Sequence, residues 1–259
     1  TGGGGHGIYA NDNTGGLGSI SVENNAPINV GNIASNVGAR AIYIIKRGTG
    51  DVTVTGNGDL TVLGAQSTNR AYGIIVSAEQ NNVLIDYSGN ITASGFGAGG
   101  IRVDSTGGNV RVNYAGDRIE TFNSNANGIY ASTQAPTGTV DISASGTIIT
   151  HSDAGTGDGS GIGSFGLQAL TLGGNVSAVF TGTLIDVNGA GAAILAGSAF
   201  NGGTGAGTVN ISNSGQLIAR GDQQRGIRTL SGDGTQTIVN TGSIQTQGAS
   251  NSQGILAEA

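Results

Sequence analysis

The sequence predicts an all-β protein that folds as a single-stranded, right-handed parallel β-helix of about eight three-strand rungs. A Gly-Ile or Ala-Ile dipeptide recurs nine times along the chain, at intervals of 27 to 34 residues. Each interval also contains one Gly-x-Ile or Gly-x-Leu signal, with one extra residue in the fourth interval, and an alternating aliphatic pair shortly before it. No segment shows the 3.6-residue apolar period of a helix. Short strands that recur at a similar spacing along the chain are typical of a solenoid.

The recurring dipeptide marks the first strand of each rung. Two residues after its isoleucine a second inward position holds mostly small residues, such as Ala10 and Ala131. The Gly or Ala before the isoleucine is expected at a tight corner. Ala41 and Ala193 indicate that this corner limits the size of the Cβ rather than requiring positive φ. The isoleucines are predicted to stack into one inward column, made of Ile8, Ile42, Ile74, Ile101, Ile129, Ile162, Ile194, Ile227 and Ile255.

The other two signals mark the second and third strands. The aliphatic pair stands four and six residues before the Gly of the third-strand signal, as in Val52 and Val54 before Gly58. The first repeat departs most from this rule, because Ile20 and Val22 lie far from Gly31. The third-strand signals are Gly31-x-Ile33, Gly58-x-Leu60, Gly89-x-Ile91, Gly116-Asp-Arg-Ile119, Gly146-x-Ile148, Gly182-x-Leu184, Gly215-x-Leu217 and Gly242-x-Ile244.

A unit of about 30 residues cannot bury its own apolar side, but stacked units can, with each strand pairing one coil later. Right-handed connection is the general rule for parallel strands. Insertions are expected to concentrate at the corner between the first and second strands, as loops at Asn11–Ser19, Gln134–Thr139, Gly166–Asn175 and Ser198–Thr208. We interpret residues 1–259 as a single β-helix segment. Because neither end has an obvious cap, we expect a piece of a longer β-helix or a unit that stacks end to end.

The amino-acid composition argues against several kinds of site and partner. The chain has no Cys, which excludes a disulfide framework and a thiolate metal site. Its net charge of −6 and its pI of about 4.6 offer no electrostatic footprint for nucleic acid. No apolar run approaches the roughly 20 residues of a membrane helix. We therefore predict no cofactor, no metal, no nucleic-acid partner and no membrane insertion of this segment.

The motifs that could carry chemistry are weak. Gly161–Gly166 matches GxGxxG but falls inside the repeat, with no helix predicted after it. His6 and His151 lie in different rungs and are interpreted as loop histidines without a function. Asp153 and Asp158 share a Gly-rich loop, yet the period of a calcium-binding repeat is absent. No catalytic residue is predicted, and the chain is not expected to be an enzyme.

The best candidate site is the outward column between the two inward positions of the first strand. We predict that its polar and aromatic members form a contact surface for a protein or a glycan. The alternative is that projecting corner loops cover this face. The predicted binding residues are Tyr9, Tyr43, Arg102, Tyr130 and Arg228, in a column that also includes Ile75, Gly163, Leu195 and Leu256.

The repeat resembles the passenger region of type V autotransporters, which are bacterial surface proteins. Gly128-Ile-Tyr-Ala131, Val140-Asp-Ile142 and Gly146-Thr-Ile148 carry the resemblance best, and it extends over nearly the whole chain. It implies secretion through an outer-membrane β-barrel fused outside this sequence. It also implies folding at the cell surface and a role in adhesion, self-association or virulence. A chain without Cys suits this route, because no disulfide can block threading.

The expected function is therefore that of a structural or adhesive module at the bacterial cell surface, which self-associates or binds protein or glycan ligands on a host or another surface. A polysaccharide-active β-helix enzyme, a lyase or a hydrolase, is the alternative, although the sparse His and scattered Asp and Glu speak against it. An ice- or crystal-binding solenoid ranks last, because Thr does not recur in register.

Overall fold

The computed structural model describes residues 5–31, 38–64, 70–123, 125–152, 163–199, 206–248 and 250–258. Within these ranges every regular element is a β-strand, and the strands form three parallel sheets of nine, eight and eight strands. The chain visits the three sheets in turn, and each strand pairs with its equivalents one rung before and after. The predicted parallel β-helix is thus confirmed, with eight three-strand rungs and one further strand. Its right-handed sense stays a prediction.

The first sheet contains the dipeptide strands, which follow one another in chain order at every third element. Their bounds are β1 (His6–Asp12), β4 (Arg40–Lys46), β7 (Tyr72–Ala78), β10 (Gly99–Ser105), β13 (Asn127–Thr133), β16 (Ser164–Thr171), β19 (Gly191–Gly197), β22 (Arg225–Leu230) and β25 (Gln253–Glu258).

The second sheet contains the strands of the alternating aliphatic pairs. They are β2 (Ile20–Asn24), β5 (Val52–Gly56), β8 (Val83–Tyr87), β11 (Val110–Tyr114), β14 (Val140–Ala144), β17 (Val176–Phe180), β20 (Val209–Asn213) and β23 (Gln236–Asn240). The third sheet completes each rung. Its strands are β3 (Ile28–Gly31), β6 (Leu60–Leu63), β9 (Ile91–Ser94), β12 (Arg118–Phe122), β15 (Thr147–His151), β18 (Leu184–Asn188), β21 (Gln216–Arg220) and β24 (Ser243–Gln247).

The inward isoleucine column is confirmed at eight of its nine positions by the strand register. The sixth position was predicted wrongly: Leu167, not Ile162, lies between Ile129 and Ile194. Leu167 follows Gly166 and therefore meets the same requirement for a small residue before an aliphatic one. Ile162 lies outside the described residues.

This shift of five residues corrects several dependent predictions. Gln168 takes the outward position that was expected for Gly163, and Ala169 takes the second inward position. Strand β16 runs to Thr171, so most of the predicted loop Gly166–Asn175 is strand. The connection between residues 151 and 164 joins the third sheet to the first, so insertions are not confined to one corner. The predicted connections at 134–139 and 198–208 do lie between first-sheet and second-sheet strands, as does 13–19 after Asp12.

Two third-strand signals were also assigned to the wrong residues. In the first rung Ile28 pairs with Leu60, and Gly31 ends the strand instead of preceding it. Ala26 stands beneath Gly58, at the position that Gly occupies in other rungs, and Ile33 lies outside the described residues. In the sixth rung Ile185 pairs with Ile148, so Leu184 lies one residue before the inward position.

Corner residues hold neighbouring rungs together through their side chains. The backbone N of Asn82 donates to Oδ1 of Asp51 at 3.3 Å, and the backbone N of Asn109 donates to Oδ1 of Asn82 at 3.1 Å. Thr139 N continues the series by donating to Oδ1 of Asn109 at 2.9 Å. Asn and Asp recur at these turns because their short side chains satisfy backbone donors that the strands leave unpaired.

In the six rungs where a Gly precedes the inward Ile or Leu of the first strand, this corner admits little more than a hydrogen atom. A Cβ built on Gly128 would lie within 3.0 Å of both Ile148 Cγ2, in the third strand of the same rung, and the carbonyl oxygen of Gly166 in the next rung. None of these glycines has a positive φ, which confirms that the corner limits the size of the Cβ. The same side-chain clash would occur at five other corners, namely at Gly7 with Ile28, Gly73 with Ile91, Gly100 with Ile119, Gly166 with Ile185 and Gly226 with Ile244.

The two rungs that have Ala at this corner differ in the third strand as well. Ala41 shares its rung with Leu60, and Ala193 shares its rung with Leu217. Leucine branches at Cγ and has no methyl at the Cγ2 position. It therefore leaves room for the Cβ of the alanine at the corner. All eight rungs therefore follow one rule of complementary shape: glycine faces isoleucine, and alanine faces leucine.

This rule predicts the outcome of a double-mutant cycle. Gly128→Ala should lower the free energy of unfolding by about 1–3 kcal/mol through overpacking, and Ile148→Leu alone by less than about 1.5 kcal/mol. The double variant should lose clearly less than the sum, with a coupling of at least about 0.5 kcal/mol. Urea unfolding followed by far-UV circular dichroism measures all four proteins. Additive losses would mean that the Gly166 carbonyl, and not Ile148, sets the constraint.

Candidate functional site

The strand register places the five predicted binding residues in one outward column of the first sheet. They lie in line with Ile75, Gln168, Leu195 and Leu256. They do not form one continuous surface. The exposed fraction of Ile75 is 8% and that of Leu195 is 4%, so two buried residues divide the column. Its binding role stays a prediction, and each part has a different character.

The first part is a group of four residues on β1 and β4, which we call the N-terminal aromatic patch: His6, Tyr9, Arg40 and Tyr43. The rings of Tyr9 and Tyr43 stack with their centroids 5.2 Å apart. The His6 ring lies 5.4 Å from that of Tyr9 and 5.2 Å from that of Tyr43. The Arg40 guanidinium carbon lies 4.4 Å from the Tyr43 ring centre, in cation–π contact. Tyr9 is 51% exposed, so the patch opens to solvent.

The charge of the N-terminal aromatic patch is not neutralised. No ion pair joins Arg40 to a carboxylate of the described residues. Its Nε atom is buried and has no hydrogen-bond partner within that part of the chain. Partial burial, helped by the positive charge of Arg40, holds the pKa of His6 below its ordinary value of 6.5. His6 is thus mainly neutral at neutral pH, and Arg40 supplies the positive charge of the patch.

The second part, which we call the Arg102 cluster, consists of Tyr72, Arg102, Asp104 and Tyr130. Arg102 Nε donates to Asp104 Oδ2 at 2.6 Å and Nη2 donates to Oδ1 at 3.2 Å. The guanidinium also lies 4.8 Å from the Tyr130 ring centre and 5.9 Å from that of Tyr72. Burial disfavours its charge, but the hydrogen bonds to Asp104 outweigh this and raise the pKa of Arg102. The cation is therefore already matched by a carboxylate.

The third part, on β16 to β25, is largely shielded from solvent or paired internally. Phe165, Leu170, Ala192 and Leu195 form an apolar cluster on the outer side of the first sheet, and each is at most 5% exposed. Arg228 Nε lies 2.6 Å from Glu258 Oε2, so its charge is paired like that of Arg102. Of the five predicted residues, only Tyr9 and Tyr43 therefore lie in a patch that combines exposure with an unpaired positive charge.

A second group, on the third sheet, was missed by sequence reasoning: Arg118, Glu120, Phe122 and His151. Glu120 accepts from Arg118 Nε at 2.9 Å and contacts His151 Nε2 at 2.8 Å, and the hydrogen bond from Arg118 is the main reason why its pKa is lowered. The His151 ring stacks on Phe122 with centroids 4.6 Å apart. His151 is the last residue of β15 and His6 is the first residue of β1, so neither is the loop histidine that was predicted. Its position three residues after Ile148, matching Phe122 after Ile119, could have revealed the pair.

A buried ion pair anchors the chain beyond the N-terminal aromatic patch. Lys46 is fully buried, and its Nζ donates to Asp12 Oδ2 at 2.6 Å, to Gly16 O at 2.7 Å and to Arg47 O at 3.1 Å. All three ammonium donors are therefore satisfied. The hydrogen bond from Lys46, supported by others from the following turn, lowers the pKa of Asp12 from 3.8 to about 2. The pair fixes the connection from β1 to β2 beside the patch.

Other classes of site find no support in the part of the chain that the structure describes. No group of three or more His, Asp or Glu side chains there could hold a metal ion. The considered calcium ligands Asp153 and Asp158 lie outside the described residues. A search of the same ranges for a helix long and apolar enough to cross a membrane finds none.

Comparison with known proteins adds no relative. No family model, curated protein or solved structure matches this chain.

The lowered pKa of Asp12 predicts a specific acid sensitivity. Because the pKa in the folded state lies below the ordinary value, Asp12 stabilises the fold above about pH 5, and this contribution is lost as the pH falls towards about 2. The unfolding free energy of the wild type should therefore fall more steeply over this range than that of Asp12→Asn. Urea unfolding at a series of pH values measures this difference. When Lys46→Met removes the hydrogen bond to Asp12, the further change Asp12→Asn should no longer alter the pH dependence. Parallel pH profiles of wild type and Asp12→Asn would contradict the prediction.

Proposed function

We propose that this chain is a structural and adhesive module of a secreted bacterial surface protein, and that it makes contact through the N-terminal aromatic patch. The observation that carries the proposal is the charge of Arg40, which lies in cation–π contact with Tyr43 on a regular sheet face and pairs with no carboxylate of the described residues. Aromatic residues and Arg are enriched at the centres of protein interaction surfaces. Elsewhere in the same column Ile75 and Leu195 are buried, and Arg102 and Arg228 are paired with carboxylates, which favours contact at this end.

The autotransporter passenger is the proposed context for this module. The proposal is supported by the Gly-Ile-x-Ala, Val-x-Val and Gly-x-Ile repeat on a parallel β-helix without Cys. In this context the segment is extracellular, joined to an outer-membrane β-barrel outside this sequence. It either self-associates with passengers on neighbouring cells or binds a protein or glycan on another surface. The protein's role is then mechanical and adhesive rather than catalytic.

Cell-surface display tests the proposal. Bacteria that display the wild-type chain should sediment or adhere to a coated surface more than cells that display nothing. Tyr9→Ala should reduce this binding about tenfold, because truncation of a central aromatic contact costs on the order of 1–2 kcal/mol. Leu84→Ala, at a 36% exposed position on the outer face of the second sheet, is the matched control. Equal adhesion of the wild type and Tyr9→Ala, at equal display, would refute the assignment of the contact surface.

A further inference from the structure

We propose that the N-terminal aromatic patch binds an acidic sugar, with the carboxylate of a uronic acid unit held by Arg40. The inference rests on the proposed function and names the class of ligand that the adhesive surface recognises. It depends on three features of the patch: the lack of a carboxylate partner for the Arg40 guanidinium, the contact between this group and Tyr43, and the polarity of the surrounding groups.

Arg40 differs from Arg102 and Arg228, which lie in the outward column, and from Arg225, which lies in the same register column as Arg40 and whose Nη1 already donates to the Gln223 carbonyl oxygen at 2.7 Å. Arg102 and Arg228 each have a carboxylate oxygen at 2.6 Å, so a ligand carboxylate would have to displace an existing partner. Arg40 has no such partner among the described residues, and its Nε is both buried and unsatisfied. Because this Nε is closed to solvent, a ligand carboxylate would meet the terminal Nη groups, whose charge no carboxylate of the described residues matches.

The contact with Tyr43 prepares Arg40 for an oxyanion. A guanidinium that lies over an aromatic ring keeps its N–H groups in its own plane, directed away from the ring. The distance of 4.4 Å to the ring centre indicates this contact. Two parallel N–H groups of a guanidinium match the two oxygens of a carboxylate. The ring thereby restrains the side chain before binding and reduces the entropy that binding would otherwise cost.

The neighbouring groups favour a sugar over a more highly charged ligand. Tyr9 and Tyr43 supply phenol hydroxyls that can donate to or accept from sugar hydroxyls, together with aromatic surface for C–H groups. His6 is held mainly in its neutral form, so the patch carries about one positive charge. One cation with several hydroxyl partners fits one carboxylate on a polar, uncharged ring.

Titration calorimetry with tetragalacturonate as the probe tests the inference. The wild type should bind it, and raising the salt concentration should weaken the binding. Arg40→Gln should weaken it at least about tenfold, because a charge-assisted hydrogen-bonded pair is lost. Arg40→Lys, which keeps the charge but not the paired donors, should weaken it less. Arg111→Gln, at an exposed arginine on the second sheet, is the matched control and should bind as the wild type does.

Two further probes separate carboxylate recognition from other contacts. The methyl ester of the same tetrasaccharide keeps the sugar rings but has no charge, and should bind at least about tenfold more weakly. A tetraglutamate peptide keeps the carboxylates but has no sugar hydroxyls, and should also bind weakly. Binding of the methyl ester as tight as that of the acid would overturn the role of Arg40, and equal binding of the peptide would overturn the assignment to a sugar. Unfolding midpoints of the variants show that each one is folded.

The result is distinguishable from that of the display experiment. If Tyr9→Ala abolishes adhesion but tetragalacturonate does not bind, the adhesive surface stands and the acidic-sugar inference fails. If tetragalacturonate binds through Arg40 but cells that display the wild type and Tyr9→Ala adhere equally, the patch is a sugar site and the proposed adhesive role fails.

Discussion

The structure depends on parallel pairing in strict register between each rung and the next. A single rung of about 30 residues cannot offset its own loss of conformational entropy by burying three to five aliphatic side chains. Pairing with a neighbour supplies the missing hydrogen bonds and stacks like residues on like, as in the column that runs through Ile101 and Ile129. Because register repeats in every rung, each position in a rung has one requirement for size and polarity. That requirement is why the repeat is visible in the sequence.

The corner before the inward isoleucine shows how tight this requirement is. The first and third strands of a rung approach so closely there that one methyl group on either side decides the packing, as at Gly128 and Ile148. The chain meets the limit in two ways, with Gly beside Ile or Ala beside Leu. Ala adds one carbon at the corner, and Leu, which has as many carbons as Ile, lacks the Cγ2 methyl that this carbon would meet. Residues that are distant in sequence are thus matched in pairs within a rung. Complementarity of this kind maintains native packing density in a thin core.

The inward pattern could be predicted from the sequence because the requirement repeats, whereas the outward pattern could not. The fold, the aliphatic pairs and all but one member of the isoleucine column follow from periodicity alone. Leu167 was missed because isoleucine was taken as obligatory, although the corner requires only a small residue before an aliphatic one. Taking Leu184 instead of Ile185 also hid the rule that glycine faces isoleucine and alanine faces leucine. Exposure and charge pairing depend on neighbours in adjacent rungs and on loops, which have no period.

The outward columns are where such a fold can change function without losing stability. A side chain on the outer face lies about 4.8 Å from the equivalent side chains in the rungs before and after it. Any residue type at such a position therefore contacts its neighbours in the two adjacent rungs. Some charged residues of these columns use that proximity to form pairs, as Arg220 does with Asp186 and Arg228 does with Glu258 across one rung. Arg40 has aromatic neighbours instead and keeps its charge unmatched. Arg40 therefore combines an aromatic contact with a charge that no carboxylate of the described residues neutralises, and this is why the N-terminal aromatic patch is the strongest candidate for a binding site.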